Sequence, residues 1–165
     1  MEIWNGLGFD KVDETDVVEM TEIMKRAFDE DAKIHLDKEK GGPDGYDNGE
    51  FIRRWYFADG VKAYKILKDG QLIGGINVFI NDNNENYLGN VFLDPTLAGK
   101  GIGTTIWKFI EYKYPNTKIW RTATAGYSKR NHHFYVNKCG FNIVRIDNPK
   151  DEHSSFILEK KMDFS

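Results

Sequence analysis

The apolar positions of this chain switch repeatedly between helical and strand spacing. Met20, Ile23, Met24, Ala27 and Phe28 recur three and four apart, the stripe of an amphipathic helix. Asp13, with Asp16 three residues on, is placed to cap its start. Residues 3–12 ahead of it read as a first strand, weakly patterned and interrupted by Gly6 and Gly8. Phe51, Ile52, Trp55 and Tyr56 predict a short second helix ending near Gly60. Residues 61–67 and 71–80 flank Asp69-Gly70, and Asp-Gly between apolar runs is a hairpin signal. Residues 81–86 read as a turn, and 87–93 as a strand that stops at Asp94-Pro95, since proline has no N–H to give a ladder. Ile102, Ile106, Phe109 and Ile110 return to helical spacing up to Tyr114, ahead of Pro115. Residues 118–123 form the next expected strand, and 131–138 a short helix closed by Gly140. A last strand pair is expected at 141–146 and 155–160. This order, β-α-α-β-β-β-α-β-α-β-β, predicts an α/β fold with a mixed central sheet flanked by helices.

Residues 29–49 break the periodicity. The segment is polar, carries four glycines and one proline, and reads largely as loop. Residues 29–50 are also acidic, with Asp29, Glu30, Asp31, Asp37, Glu39, Asp44, Asp47 and Glu50 against Lys33, Lys38 and Lys40. Long loops within compact domains often carry function, so attraction of a cationic group is one expectation; a solvated loop is the other.

At 165 residues the chain is expected to form a single domain, 1–165, with a substantial core. Eleven Phe, eight Tyr and four Trp exclude a disordered chain. A net charge of −3 with no basic stripe argues against nucleic acid as partner. No apolar run reaches membrane length and no basic-then-apolar leader opens the sequence, so a cytoplasmic location and no membrane partner are expected. Cys139 is the only cysteine, which suits a reducing compartment and excludes an internal disulfide. It also leaves no activated cysteine nucleophile or spaced metal-ligand set, so no metal is expected.

The chemistry centres on residues 87–110, a strand, a glycine-rich turn and a helix. A helix opening after such a turn aims unpaired N–H groups and its positive dipole end at one spot, which suits phosphate. The spacing fits neither familiar phosphate loop. Lys100 precedes Gly101, and no Gly-Lys-Ser/Thr follows; the third glycine of a dinucleotide turn falls on Thr104 or Ile106.

Leu93-Asp94-Pro95 followed by Ala98-Gly99-Lys100-Gly101-Ile102-Gly103 resembles the acyl-CoA pyrophosphate loop of the GNAT superfamily of acetyltransferases, Gln/Arg-x-x-Gly-x-Gly/Ala. Ala98 departs from it, standing where the family has Gln or Arg. A second resemblance follows in Asn131, Phe134, Tyr135, Gly140 and Phe141, with Cys139 in an apolar place of the motif. Two motifs in order, together with the predicted element order, extend the resemblance over nearly the whole chain outside residues 29–50.

The resemblance implies a GNAT-like acyl-CoA N-acyltransferase fold and an N-acetyltransferase. Acetyl-CoA would be cosubstrate, and the acceptor a primary amine of a small molecule or peptide that attacks directly. It places the pyrophosphate on the backbone of Ala98, Gly99, Lys100, Gly101, Ile102, Gly103 and Thr104. The main chain of Val91, Phe92 and Leu93 would hold the pantetheine arm and thioester, and Asn131 would bond the arm. Tyr135 would be the catalytic acid for the leaving thiolate, and either His132 or His133 would face the phosphates. The nearest match to the family's strand glutamate is Tyr87, while Glu85 reads as a solvated turn residue, so no general base is assigned. The alternative is a non-catalytic acyl-CoA sensor or assembly module. A homodimer is compatible with either reading.

Overall fold

The computed structural model describes residues 1–163; the last two positions of the expected domain, 164 and 165, lie outside the described residues. Eight strands form one sheet in the order β1-β2-β3-β4-β5-β6-β8-β7. The opening stretch is not one strand but a hairpin, β1 (Glu2–Trp4) and β2 (Leu7–Lys11). Asn5 and Gly6, both with positive φ (46° and 83°), turn the chain between them. Asp13 and Asp16 form the expected capping box, on a single 3-10 turn that leads into α1 (Val17–Leu36).

Helix α1 corrects the reading of residues 29–49 as loop. It runs on to Leu36, and only 37–49 connect it to α2 (Glu50–Trp55). Its last turns lack an apolar stripe because their polar residues are engaged. Asp29 accepts from the Tyr46 hydroxyl at 2.6 Å and the Gly41 N–H at 3.2 Å, and Asp31 accepts from Ser128 Oγ at 3.1 Å.

Strands β3 (Val61–Lys68) and β4 (Gln71–Phe79) make the Asp69-Gly70 hairpin, and β4 pairs antiparallel with β5 (Glu85–Leu93). A 3-10 turn at Pro95–Leu97 leads by the glycine turn to α3 (Ile102–Lys113). Then come β6 (Ile119–Ala125), α4 (Lys129–His133), a π-helical turn (Phe134–Lys138), β7 (Asn142–Asp147) and β8 (Ser155–Lys161).

Two apolar cores lie on the two faces of the sheet. On one, α3 packs Trp107 against Trp120 and Phe141, and Phe109 against Phe9. On the other, Met20, Ile23 and Met24 of α1 meet Ile52, Tyr56 and Phe92. The mixed sheet flanked by helices is therefore present as expected.

Candidate functional site

The sheet has one discontinuity. β5 and β6 are parallel, yet they pair only over Glu85↔Ile119, Asn86↔Trp120 and Tyr87↔Arg121. Beyond Tyr87 they part, while β6 continues paired to β8 as far as Ala125 and β5 to β4 as far as Leu93. Thr122 Oγ1 on the Leu88 carbonyl, 2.9 Å, is a tie at the point of separation. β5 carries an extra residue there: the β4 register shifts between Asn77↔Asn90 and Val78↔Leu88, so Gly89 is bulged.

The outer edge of β5 is thereby free. Asp94 N–H donates to the Ile73 carbonyl at 2.7 Å. Antiparallel alternation then turns the Phe92 backbone toward Gly75 on β4, and the backbones of Val91 and Leu93 into the opening. The expectation that all three present their main chain is narrowed to Val91 and Leu93. Phe92 completes the ladder and lends its ring to the α1 core.

The glycine turn lies just past the end of β5. Gly99 and Gly101 have φ of 78° and 77°, and a Cβ at either would meet nothing within 4 Å, so both face open space. Ala98 is extended, and its N–H donates to the Pro95 carbonyl at 3.2 Å, so it shapes the turn. From Gly99 to Thr104 no N–H has an acceptor among the described residues; the first committed donor is Thr105, to Gly101. These free donors sit at the positive end of a twelve-residue helix, where an anion is favoured. Gly103 also allows close approach: a Cβ there would stand 3.0 Å from the Phe134 ring.

Tyr135 lies in the π-helical turn, a deformation often found at functional sites. The turn is closed by Cys139 N–H on the Phe134 carbonyl (3.0 Å) and Phe141 N–H on the Tyr135 carbonyl (2.9 Å), with Gly140 at φ 84°. Its ring is buried, yet its hydroxyl has no hydrogen-bond partner among the described residues and is not sealed from solvent. Burial pushes this phenol well above the ordinary tyrosine value, with Cys139 and Tyr87 adding to the rise. It is therefore protonated at neutral pH.

Asn131 is not the first residue of its helix as expected. α4 starts at Lys129 behind Ser128, and Asn131 Nδ2 bonds Thr124 Oγ1 of β6 at 3.3 Å. Each histidine has one ring nitrogen committed within the protein, and His133 is the exposed one. His132 Nε2 bonds the Ala125 carbonyl (2.9 Å) with its ring stacked on Phe156, and His133 Nδ1 bonds Asn137 (2.6 Å). Cys139 is buried, its thiol pushed up to about 12 by desolvation, so it is an inert packed residue as expected. Glu85 is not a loose turn residue: it opens β5, ion-paired to Arg121 at 2.9 Å.

Two site residues escaped the reading of the sequence. Tyr56, which caps the C-terminus of α2, is buried, and its hydroxyl donates to Asn90 Oδ1 at 2.6 Å. Burial raises this phenol far above its usual value, and Tyr135 raises it further. Tyr56 belongs to the core on the α1 face and Tyr135 to the core on the α3 face. The two rings thus approach from opposite faces of the sheet, with Tyr56 bonded to Asn90 beside the bulge and Tyr135 near enough to raise its phenol.

A parted parallel strand pair, a glycine turn at its mouth and a buried phenol beside it are the features of one family. Residues 18–141 match the Acetyltransferase (GNAT) family. The chain belongs to that family. It is 44% identical over 115 residues to the uncharacterized protein YrkN of Bacillus subtilis (strain 168); the match covers 69% of this chain and 60% of that relative's length. Among solved structures it resembles the PaiA N-acetyltransferase of Thermoplasma acidophilum in complex with coenzyme A, with a TM-score of 0.70, 19% identity, and 94% and 99% of the two chains covered. The ribosomal-protein-S18-alanine N-acetyltransferase of Escherichia coli gives a TM-score of 0.72 at 12% identity over 96% of each chain. Spermidine N-acetyltransferase of Vibrio cholerae, with CoA and spermine, gives 0.66 at 14% over 94% of this chain and 95% of that one. At these identities the neighbours establish the GNAT fold. Among the described residues no helix is long and apolar enough to cross a membrane.

Proposed function

We propose that this chain is an acetyl-CoA-dependent N-acetyltransferase that acts on a primary amine of a small molecule or peptide, with residues 1–165 working as one domain. The observation that carries the proposal is the coincidence of the β5–β6 opening, the free N–H row at its end and the unpartnered Tyr135 hydroxyl beside it. The neighbours support the ligand and the range of acceptors, since among them are complexes with coenzyme A, a ribosomal-protein-S18-alanine N-acetyltransferase and a spermidine N-acetyltransferase.

The residues present fit the cosubstrate. A diphosphate suits the N–H groups of Gly99 to Thr104, where side chains at Gly99 and Gly101 would fill the cradle. The pantetheine amides suit the turned-out backbones of Val91 and Leu93, with Asn131 across the opening on α4. Acetyl-CoA supplies the activated acetyl group when bound. Val91 N–H is the donor placed for the carbonyl oxygen, an oxyanion-hole role. Tyr135 holds a proton at its hydroxyl and gives it to the departing sulfur. Attack is direct, because the one cysteine is packed and inert. The lone, reduced cysteine accords with a cytoplasmic setting.

The test is thiol release from acetyl-CoA across an amine panel, with calorimetric CoA binding alongside. Tyr135→Phe is expected to leave CoA affinity within twofold and lower kcat about 100-fold, the lower range of general acid catalysis. Unchanged kcat would remove Tyr135 from the mechanism. CoA binding without thiol release for any amine would favour an acyl-CoA-binding module, a reading kept open by the apolar Ala98.

A further inference from the structure

Resting on the acetyltransferase reading, the polar groups beside the opening narrow the acceptor class. The seat on the α2 side of β5 is made of neutral groups. Tyr56 donates to Asn90 Oδ1, which turns the Asn90 amide nitrogen away from Tyr56; that nitrogen has no partner among the described residues and is not sealed. Tyr135 brings its open hydroxyl from the other face. Behind Asn90, Asn77 is its direct cross-strand partner and is held by its own amide on the Trp55 carbonyl at 2.9 Å.

The carboxylates of β5 and of the end of α1 are already partnered. On β5, Glu85 is paired with Arg121 of β6 at 2.9 Å, and Tyr87 is a phenol raised by burial. Asp94 at the strand's end is paired with Arg26 of α1 at 3.4 Å. At the end of α1, Asp31 takes Ser128 Oγ at 3.1 Å, with His35 at 3.5 Å and Arg130 at 3.7 Å. Glu30 lies 3.7 Å from Arg130, and its Oε2 and His35 Nε2 are both sealed from solvent. Tyr127 is a further phenol raised by burial and then by Asp31, and Cys139 is packed. The hydrogen bonds that build the seat thus join neutral groups, while these neighbouring carboxylates each have a partner of their own.

We infer that the acceptor is a weakly basic primary amine of the α-amino type, as on a peptide N-terminus or an amino-acid amide, seated between Tyr56, Asn90 and Tyr135. Such an amine is neutral in roughly one molecule in ten at pH 7, against roughly one in 2,500 for an alkylamine of the lysine kind. The neutral nitrogen forms the N–C bond to the acetyl carbon as the C–S bond breaks. Tyr135 gives its proton to the sulfur, and the nitrogen's surplus proton returns through water to the phenolate. Acetyl amide and CoA thiol result, and the enzyme is unchanged. No enzyme base is consumed.

The experiment compares a tripeptide with a free N-terminus, the same length of peptide N-blocked but carrying lysine, and spermidine. Thiol release is followed from pH 6 to 9.5, and binding of each amine to CoA-loaded protein is measured by calorimetry. At pH 7 the free N-terminus should exceed both alkylamines at least about 100-fold in kcat/KM, from the populations above. Its kcat/KM should rise along one limb that moves with the acceptor when a different α-amine is used. Amine binding should tighten as pH rises, and Asn90→Asp should give the seat a measurable affinity for spermidine. The inference falls if spermidine or lysine is acetylated comparably at pH 7. It also falls if a limb stays fixed when the acceptor changes, or if spermidine binds the unaltered protein more tightly at pH 6 than at pH 8.5. Thiol release from polyamines would overturn the acceptor class alone; no release from any amine by a protein that binds CoA would overturn the acetyltransferase reading with it.

Discussion

Gly74 and Gly75 are adjacent in β4, yet their replacement should have unequal consequences. Gly74 lies opposite Leu93 and Gly75 opposite Phe92, so both support the strand that lines the opening. A Cβ at Gly74 would overlap the Phe92 carbonyl oxygen and stand 3.1 Å from Leu93 Cα, and both are backbone atoms. A carbon–oxygen contact needs about 3.3 Å, so β4 and β5 must separate by on the order of 1 Å to admit a methyl group. Overpacking of this kind costs about 1–3 kcal/mol, or roughly 2–12 °C in Tm for a chain of this size. The larger effect falls on activity. Val91 and Leu93 would move with β5, and a 1 Å misplacement of a reacting geometry can cost about 100-fold. At Gly75 the new methyl group meets Met20 Cε and the Phe92 ring edge, each at 2.8 Å. Met20 Cε is the end of a flexible chain and can swing aside. Gly74→Ala should therefore lower kcat/KM about 100-fold and melt early, while Gly75→Ala should stay within about threefold in activity. Urea melts, CoA calorimetry and thiol release on both variants decide it. Gly74→Ala with unaltered activity would show that the β4–β5 spacing does not position the site.

Gly101→Ala should weaken CoA binding about tenfold by calorimetry, because alanine at φ 77° costs about 1–2 kcal/mol and the N–H row shifts with it. Asp31→Asn should destabilise the protein by about 1–3 kcal/mol in urea, since the buried carboxylate accepts from Ser128 and faces Arg130 and His35. Trp107→Ala should cost about 3–5 kcal/mol by the same assay, because it empties the contact with Trp120 and Phe141. Alkali should weaken the fold between pH 10 and about 12, read as a falling urea midpoint. Tyr46 is raised to about 12, by desolvation and then by its bond to Asp29, so its contribution is complete below pH 10. Above pH 10 the unfolded chain ionises first, and that contribution is lost as pH approaches the folded value. Tyr46→Phe should flatten the fall.

The elements that could be read from the chain were those whose signal is local. The Met20–Phe28 stripe, the Asp69-Gly70 hairpin and the glycine turn before Ile102 each declare themselves within a dozen residues. The first hairpin was equally local: Asn5-Gly6 is a two-residue turn signal, obscured because Gly8 invited a single broken strand. The end of α1 was different in kind. Residues 29–36 are polar, and what holds them helical is a set of partners distant in sequence. Asp29 reaches Tyr46, and Asp31 reaches Ser128, 97 residues away. No periodicity could report those contacts, so a buried helix end looked like an acidic loop.

The site divides along the same line. The glycine turn and Tyr135 sit in short motifs, one following β5 where it has parted from β6 and the other in the π-helical turn after α4. Tyr56 and Asn90 carry no motif. Tyr56 reads as one more apolar residue of a short helix, and Asn90 as a polar interruption in a strand. Their bond spans 34 residues and depends on the Gly89 bulge, which lets Asn90 share a face with Asn77 while Leu88 stays in the opposite core. A bulge changes which face every later side chain takes, so strict alternation cannot forecast the residues beyond it. The proposed acceptor seat lies just past that break. That is why the sequence points to the acetyl donor through its motifs, while the acceptor class has to be argued from the neutral groups around Asn90.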